Sequence, residues 1–395
     1  MKIKMKNSAF ILIFLVFLSC QKEDANSVLV TIKNNLDIDR VFETVEINAS
    51  DLQSLNATAF QVIHKVSGDS LVSQTIDYDG DGNIDALLFQ PKLKAISEEV
   101  YQVFGTTENV KKDTICYSRF VPERTDDYAW ENNKVAFRTY GPNAQYRYEN
   151  NLKEGTLSSG IDAWLKRVEY PIINKWYEKY TSGKGTYHED TGEGLDNFHV
   201  GASRGVGGIA IKNDNVYEVS KNFISYKTIA VGPIRTLFEL EYAPYEFNGG
   251  RIEETKLISL DYGQNLSKHS ITISGAETIS AGLTLHDNLG KTSINAEEGW
   301  MSYWEPHDGS QLGQGMVITN VDKLIDFHKY ISEEKDKSNL FMQIEVEDSI
   351  AEYYAGFGWK KSGQFGSKKE WDNYLSNFSK CKQNPLAITI ENAKP

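Results

Sequence analysis

Between Gly208 and Ile279 the chain repeats one pattern, a run of alternating apolar and polar residues closed by a short turn, and that pattern leaves little freedom in the fold. The runs are Gly208 to Lys212, Phe223 to Val231, Ile234 to Ala243, Arg251 to Leu260 and Ser267 to Ile273. A period of two puts successive side chains on opposite faces of a strand, and connections this short join antiparallel neighbours. The stretch predicts a large twisted antiparallel sheet with one buried face. Residues 281 to 320 continue as strands and loops. Upstream, Val28 to Ile32, Val41 to Ile47, Ala59 to Val66, Leu71 to Ile76, Ala86 to Phe89 and Glu99 to Phe104 are shorter runs broken by Asn, Asp, Gly and Ser. That is the pattern of a small β-sandwich. Pro122 to Asp127 is a polar junction, so the chain divides into a small N-terminal β-sandwich at 28–121 and a larger, mainly β domain at 122–395. About 375 mature residues is more than one hydrophobic core usually carries.

Helices are few. Ile161, Trp164, Leu165 and Val168 recur at i, i+3, i+4 and i+7, which predicts an amphipathic helix over Ser158 to Tyr180 that Pro171 kinks or divides. Val321 to Glu334 reads as a short helix. Ser367-Lys-Lys-Glu370 is a capping box in front of a terminal helix at 368–381.

The first residues read as a processing signal. Lys2, Lys4 and Lys6 precede an apolar run from Phe10 to Phe17, and Leu18-Ser19-Cys20 ends in the cysteine at which a lipoprotein signal peptidase cuts. The apolar run is too short to span a membrane. Residues 1–19 are thus a signal peptide, Cys20 is the lipidated anchor, and 20–27 is a tether. Gln21-Lys22-Glu23-Asp24 resembles the tag that carries lipoproteins of glycan-degrading bacteria to the cell surface, which implies an outer-membrane lipoprotein facing outward, with a periplasm-facing orientation as the alternative. Removing the signal takes away three lysines and moves the formal charge from −13 to −16. Such a charge disfavours nucleic acid as a partner. It leaves an anionic oligosaccharide open, because a local Arg/Lys cluster dominates the field inside a cleft. Cys116 and Cys381 are too few for a disulfide framework and are expected as thiols. The sequence leaves the oligomeric state open.

The most polar and Gly-rich segment runs from Tyr187 to Lys212 and has the composition of an active-site loop. It carries His188, Glu189, Asp190, Glu193, Asp196, His199 and Arg204. Arg138 and Tyr140 lie at a strand end before Gly141-Pro142, and Tyr353 to Trp359 is a glycine-and-aromatic cluster. Arginine, histidine and tyrosine together suit elimination from a uronic acid. The C5 proton is weakly acidic, so the carboxylate must be neutralised, a base must take the proton and an acid must assist the group leaving C4. In this reading Arg204, and after it Arg138, holds the carboxylate in bidentate fashion, His188 or His199 is the base, and Tyr140 is the acid. Glu189 touches substrate, and Tyr353 and Trp359 stack on sugar rings. An aromatic content of 12% fits sugar stacking, and equally a tyrosine-rich sheet.

Each assignment has a plainer alternative. Arg204 also suits a salt bridge to Glu193 or Asp196, and Trp359 a place in the core. Glu189, Asp190, Glu193 and Asp196 offer carboxylates for glycoside hydrolysis, although no spacing singles out a pair. His188, His199 and one carboxylate are a further set, for a metal. The chemistry of elimination requires no cofactor. Asp77, Asp79, Asp81 and Asp85, with Gly80 and Gly82 between them, match the front half of a calcium loop and equally a tight Asp/Gly hairpin turn; an ion here is expected to be structural calcium.

Four stretches together resemble a family of lipoproteins encoded beside polysaccharide-degrading enzymes: Asp79-Gly-Asp-Gly-Asn-Ile-Asp85, Tyr187-His-Glu-Asp-Thr-Gly-Glu-Gly194, Gly201-Ala-Ser-Arg-Gly-Val-Gly-Gly208 and Tyr353-Tyr-Ala-Gly-Phe-Gly-Trp359. The resemblance covers essentially the mature chain. It implies a large mutarotase-like β-sandwich (a supersandwich) with a few helices for the second domain. It also implies the activity of an oligosaccharide dehydratase of ulvan breakdown, which removes water from a terminal uronic acid next to sulfated rhamnose. The alternatives are a non-catalytic glycan-binding lipoprotein and a hydrolase or lyase acting on another uronide.

Overall fold

The computed structural model describes residues 27–107, 113–214 and 216–392. The expected signal peptide, Cys20 and nearly all of the tether lie outside these residues. The chain is mainly β, as expected, and its strands form two sandwiches.

The larger sandwich is built on one antiparallel sheet of nine strands. Its main path runs Phe223–Ala230, Arg235–Tyr242, Gly250–Asp261, Leu266–Ser274, Ile350–Trp359, Ser310–Ile318, Trp300–His307, Lys291–Asn295. The period-two pattern is visible in Gly250–Asp261, where Ile252, Glu254, Lys256, Ile258 and Leu260 are buried and the residues alternating with them are not. Two five-stranded sheets form the facing layer. One runs Val216–Glu218, Val206–Asn213, Thr278–Thr284, Asn339–Glu345, Leu324–Tyr330, and the other Gly194–Leu195, Asp162–Lys166, Ala136–Thr139, Asp127–Glu131, Tyr117–Val121. All three sheets contribute to one apolar core. The terminal helix forms at Lys368–Gln383, capped by the Ser367 hydroxyl accepting from the Glu370 N–H, and lays Trp371, Leu375 and Phe378 on the outer face of the large sheet.

The smaller sandwich pairs the sheet of Ser27–Asn34, Ser97–Thr106, Ala59–His64 and Ser70–Leu71 with the three strands Val45–Asn48, Ala86–Phe89 and Ser73–Ile76. Two details refine the division at residue 121. Tyr117–Val121 pairs with Asp127–Glu131 of the larger sandwich, and the last strand, Ala387–Asn392, returns to pair with Ser27–Asn34. Gln74 and Arg235 join the units: the Gln74 side chain bonds the backbone of Ile234 and Arg235, and Arg235 bridges Glu46 and Asp261.

Two predicted helices are corrected. Residues 162–166 are a strand, and only Ile173–Thr181 is helical. Asp162–Lys166 is buried on both faces, so it shows no alternation and its apolar residues fall at helical spacing by coincidence. Val321–Lys323 is a single 3-10 turn that leads into the strand Leu324–Tyr330. Cys116 and Cys381 are free thiols. Among the described residues no helix is long and apolar enough to cross a membrane.

Candidate functional site

The sheet Tyr117–Leu195 has one face in the main core and one facing outward. Tyr128, Trp130, Phe137, Ala163 and Leu165 point inward. The alternate residues point outward, where Ala129, Ala136 and Trp164 meet Ile173, Trp176 and Tyr177 of the helix Ile173–Thr181, with Tyr187 closing the cluster. Register places Arg138 directly opposite Asp162 and Ala129. Asp127 and Tyr140, two residues along their strands from those positions, share that outer face. Arg138, Asp162 and Asp127 are therefore trapped between the sheet and its covering helix and loop, with Tyr140 at their edge.

Arg138 is the hub. It is buried, and its guanidinium donates to Asp162 Oδ2 at 2.5 and 3.0 Å, to Asp196 Oδ2 at 2.9 Å, and at longer range to Asp127 Oδ2 at 3.5 Å and the Tyr187 hydroxyl at 3.4 Å. Tyr177 donates to Asp127 at 3.0 Å. Burial pushes the Asp127 carboxyl up to about 6 against the pull of Arg138. Burial and the neighbouring Asp162 push Asp196 up to about 8. Loss of water is the dominant cause in both.

Two groups at the edge of this network reach solvent. Tyr140 is half-buried, with its hydroxyl 3.5 Å from Asp162 Oδ2. Burial first, and then the Asp162 charge, hold the phenol well above its ordinary pKa, so it keeps its proton throughout the neutral range. His188, whose side chain is 51% exposed, places Nδ1 2.7 Å from the backbone carbonyl of Asp196. A carbonyl can only accept, so Nδ1 carries the hydrogen and Nε2 is left with a lone pair. Arg124 completes the rim. It is partly exposed, lies 5.6 Å over the Tyr180 ring, donates to Thr125 Oγ1 and forms no ion pair among the described residues. Tyr180 in turn stacks on Tyr187, next to His188.

The other expected site residues lie elsewhere or do other work. Arg204 is buried and donates to Ser159 Oγ and to the carbonyls of Ile209 and Ala202, with no carboxylate in ion-pair range, so it pins its own loop and does not clamp a ligand. Burial lowers it to about 10. The glycines around it allow the chain to pass close to its neighbour: Gly205 has a positive φ of 57°, and a Cβ there would stand 1.9 Å from the Ile161 carbonyl oxygen. Tyr353 and Trp359 are buried in the central strand of the large sheet, with Tyr353 stacked on His269 and donating to the Gly207 carbonyl. Neither offers a face to a sugar. Arg138 does not face a ligand either, because three aspartates occupy its donors. Glu189 is exposed at the loop tip. His199 is exposed and bonds Asp336 Oδ2 through Nε2 at 2.8 Å.

The hydrolase carboxylates are engaged as well. Asp190 pairs with Arg167 and Lys361 and accepts from two backbone N–H groups, which with those ion pairs hold it down to about 2 against the opposing effect of burial. Glu193 pairs with Lys175 and Tyr170, and Asp196 with Arg138. Among the described residues, the groups of three metal-ligating side chains that gather their donor atoms are His286/Glu305/His307 and Asp77/Asp79/Asp85; neither contains His188 or His199. In the aspartate loop Asp77 accepts from the N–H groups of Gly80 and Gly82, Asp79 from Asp81, and Asp85 from Tyr78, while Asp81 faces Asn83 and stands apart from the trio. The oxygen set suits a hard cation, but these backbone bonds already hold the hairpin turn.

A groove of about 1090 Å³ lies between the two sandwiches and is lined by Phe42, His64, Tyr101, Pro233 and Tyr262 among others. None of the residues of the Arg138 network or its rim lines it. Volume alone does not define a site, and the groups gathered by Arg138 lie outside this groove.

The fold is similar to that of two solved structures, a protein in the glycosyl hydrolase family 38 and an alpha-mannosidase, both from Enterococcus faecalis, each at 10% identity over 93% of this chain, with TM-scores of 0.48 and 0.43. This chain spans about half the length of each, 48% and 46%. In sequence it is 50% identical over 388 residues to uncharacterized protein P7 of Formosa agariphila, covering 97% of this chain and 98% of that one. Residues 32–388, both sandwiches together, match a single family described as a domain of unknown function, DUF4861. With a match of that extent and a relative at half identity over its whole length, the chain belongs to the DUF4861 family.

Proposed function

We propose that the protein is a carbon–oxygen lyase that removes water from the uronic acid at the non-reducing end of an oligosaccharide, of the ulvan type that its motifs resemble, with the rim of Arg124, Tyr140 and His188 as its active site. The observation that carries this reading is the pairing of His188 and Tyr140 across one buried network. Asp196 and Asp162, both held by Arg138, position a histidine with a free Nε2 lone pair and a tyrosine that keeps its proton.

The chemistry follows from those states. Arg124 neutralises the substrate carboxylate, which acidifies C5. His188 Nε2 takes the C5 proton, the C–H electron pair becomes the C4–C5 double bond, and the C4–O bond breaks. Tyr140 gives its proton to the departing hydroxyl, which leaves as water. His188 then returns its proton, and Tyr140 recovers one, through solvent. A hydrolase would need two facing carboxylates, and Asp190, Glu193 and Asp196 of the loop are held in ion pairs, which leaves Glu189 alone. The aromatic surplus lies mainly in the core. The signal-like N-terminus and its cysteine fit an outer-membrane lipoprotein that meets oligosaccharides at the cell surface.

Incubation with uronate-terminated oligosaccharides is expected to raise ultraviolet absorbance at the enol-ether band, with loss of one water by mass and no chain shortening. Binding of several such uronides without any absorbance rise would overturn the enzyme reading and leave a glycan-binding protein. Shortening would mean a lyase expelling a sugar. Arg124→Met is expected to lower kcat/KM roughly 10–100-fold, mostly through KM, as loss of a charge-assisted contact does. An unchanged KM would remove Arg124 from the carboxylate.

A further inference from the structure

Beside the Arg138 network, on the far side of the same loop, His286, Glu305 and His307 bring one ligating atom each within 4.8 Å of one another. Glu305 and His307 lie two apart on the strand Trp300–His307 and so share a face. His286 follows the strand Thr278–Thr284 and is held at a positive φ of 45°. That conformation is uncommon for a residue other than glycine.

The partners of the rings fix their tautomers. His286 Nε2 lies 3.1 Å from the His199 carbonyl and Nδ1 2.7 Å from Glu305 Oε1, so both nitrogens donate to oxygens, and the Nδ1 hydrogen toward Glu305 is the one a metal ion would displace while Nε2 keeps its own. His307 Nε2 lies 3.1 Å from Asn197 Oδ1. The Asn197 amide nitrogen donates to Asp308 Oδ2 at 3.1 Å, which orients the amide and makes its oxygen the acceptor from His307. His307 Nδ1 is therefore the lone-pair nitrogen. Gln314, buried, donates to Glu305 Oε1 at 3.1 Å, and its own Oε1 has no partner. Two imidazole nitrogens and a buried carboxylate converge, and each outer ring nitrogen is tied to an oxygen acceptor. Metal-ligating histidines are held in this way.

We infer that His286, Glu305 and His307 bind one divalent first-row transition ion, with zinc as the fitting probe. Two histidines and one glutamate are a zinc donor set that leaves an outer position for water or an oxygen of a ligand, and His307 is partly exposed on that side. Asn197 and the His199 carbonyl are positioning groups for the ring orientations.

The test uses the whole chain freed of metal by a chelator and titrated calorimetrically with zinc, and separately with cobalt(II), whose visible absorption reports its ligands. The expected result is one zinc per chain and a cobalt band, both lost in His307→Ala and Glu305→Gln. Asn197→Ala, which keeps all three ligands, is expected to weaken zinc about 10–100-fold. His188→Ala and Asp77→Asn are expected to bind as the wild type does. No zinc binding at one equivalent, or binding that survives both ligand substitutions, would overturn the site. If a ligand variant fails to fold, the Asn197→Ala affinity decides, and wild-type affinity there rejects the arrangement. Metal binding is read without substrate and stands or falls separately from lyase activity.

Discussion

Replacing His188 by alanine is expected to lower kcat about 10²–10⁴-fold, the range for removal of a general base, with little change in KM or melting temperature. The side chain is 51% exposed, and it touches the Asp196 carbonyl, the Asp196 carboxylate at 3.6 Å and the rings of Tyr180 and Tyr187. Removal of such a side chain changes stability by little. The split between kcat and KM is the useful readout, because a residue that only braced the loop would shift both together with the melting temperature. His199→Ala provides the contrast. That histidine is also exposed, but its ring bonds Asp336 and not the groups held by Arg138, and its loss is expected to leave turnover nearly intact. Wild-type turnover in His188→Ala with a large loss in His199→Ala would exchange the two roles.

The strands of the large sheet were legible in the sequence because each has one wet face, and water enforces a period of two, as in Gly250–Asp261. The terminal helix was legible because its start carries its own cap in Ser367 and Glu370. Where both faces are dry that signal disappears. Asp162–Lys166 lies between the main core and the helix Ile173–Thr181 and so read as part of a helix. The site divides along the same line. His188 and Tyr140 were recognisable as reactive types near turns. Asp127, Asp162 and Arg124 were not, since what makes them matter is a register between strands that no local pattern records. The same holds for His286, Glu305 and His307, which come from two strand ends and meet only in the folded sheet. Arg204, Tyr353 and Trp359 were misread for a common reason: a Gly-rich or Gly–aromatic stretch looks like an open loop, whereas here the glycines let backbone and rings pack closely, as Gly205 does against Ile161.

Replacing Arg138 by methionine is expected to destabilise the protein by about 3–5 kcal/mol, the cost of removing one partner from a buried ion network, and to do so more at alkaline than at acid pH. Methionine keeps much of the aliphatic length, so the loss reports the charge. It leaves Asp127, Asp162 and Asp196 beside one another without the guanidinium that all three accept from. The pH dependence follows from the shifts. Asp127 and Asp196 lie at about 6 and about 8 in the fold, above the ordinary aspartate value. The folded state therefore holds protons that the unfolded chain releases, and their stabilising contribution is complete below about pH 4 and declines as pH rises through those two values. Without Arg138 both carboxyls move higher still. At about pH 5 they are protonated and tolerate burial as neutral acids, whereas at about pH 9 the fold must either hold protons against bulk solvent or bury unpaired carboxylates. Urea unfolding of wild type and Arg138→Met at these two pH values measures the difference. A loss equal at both would mean that Arg138 acts by packing against Trp164 and Tyr140, whose rings its guanidinium overlies at 5.2 and 5.3 Å, and that the aspartates do not depend on its charge. The same variant is expected to lose turnover at every pH, because Asp196 and Asp162 connect the hub to His188 and Tyr140, and the base and the acid lose their placement together.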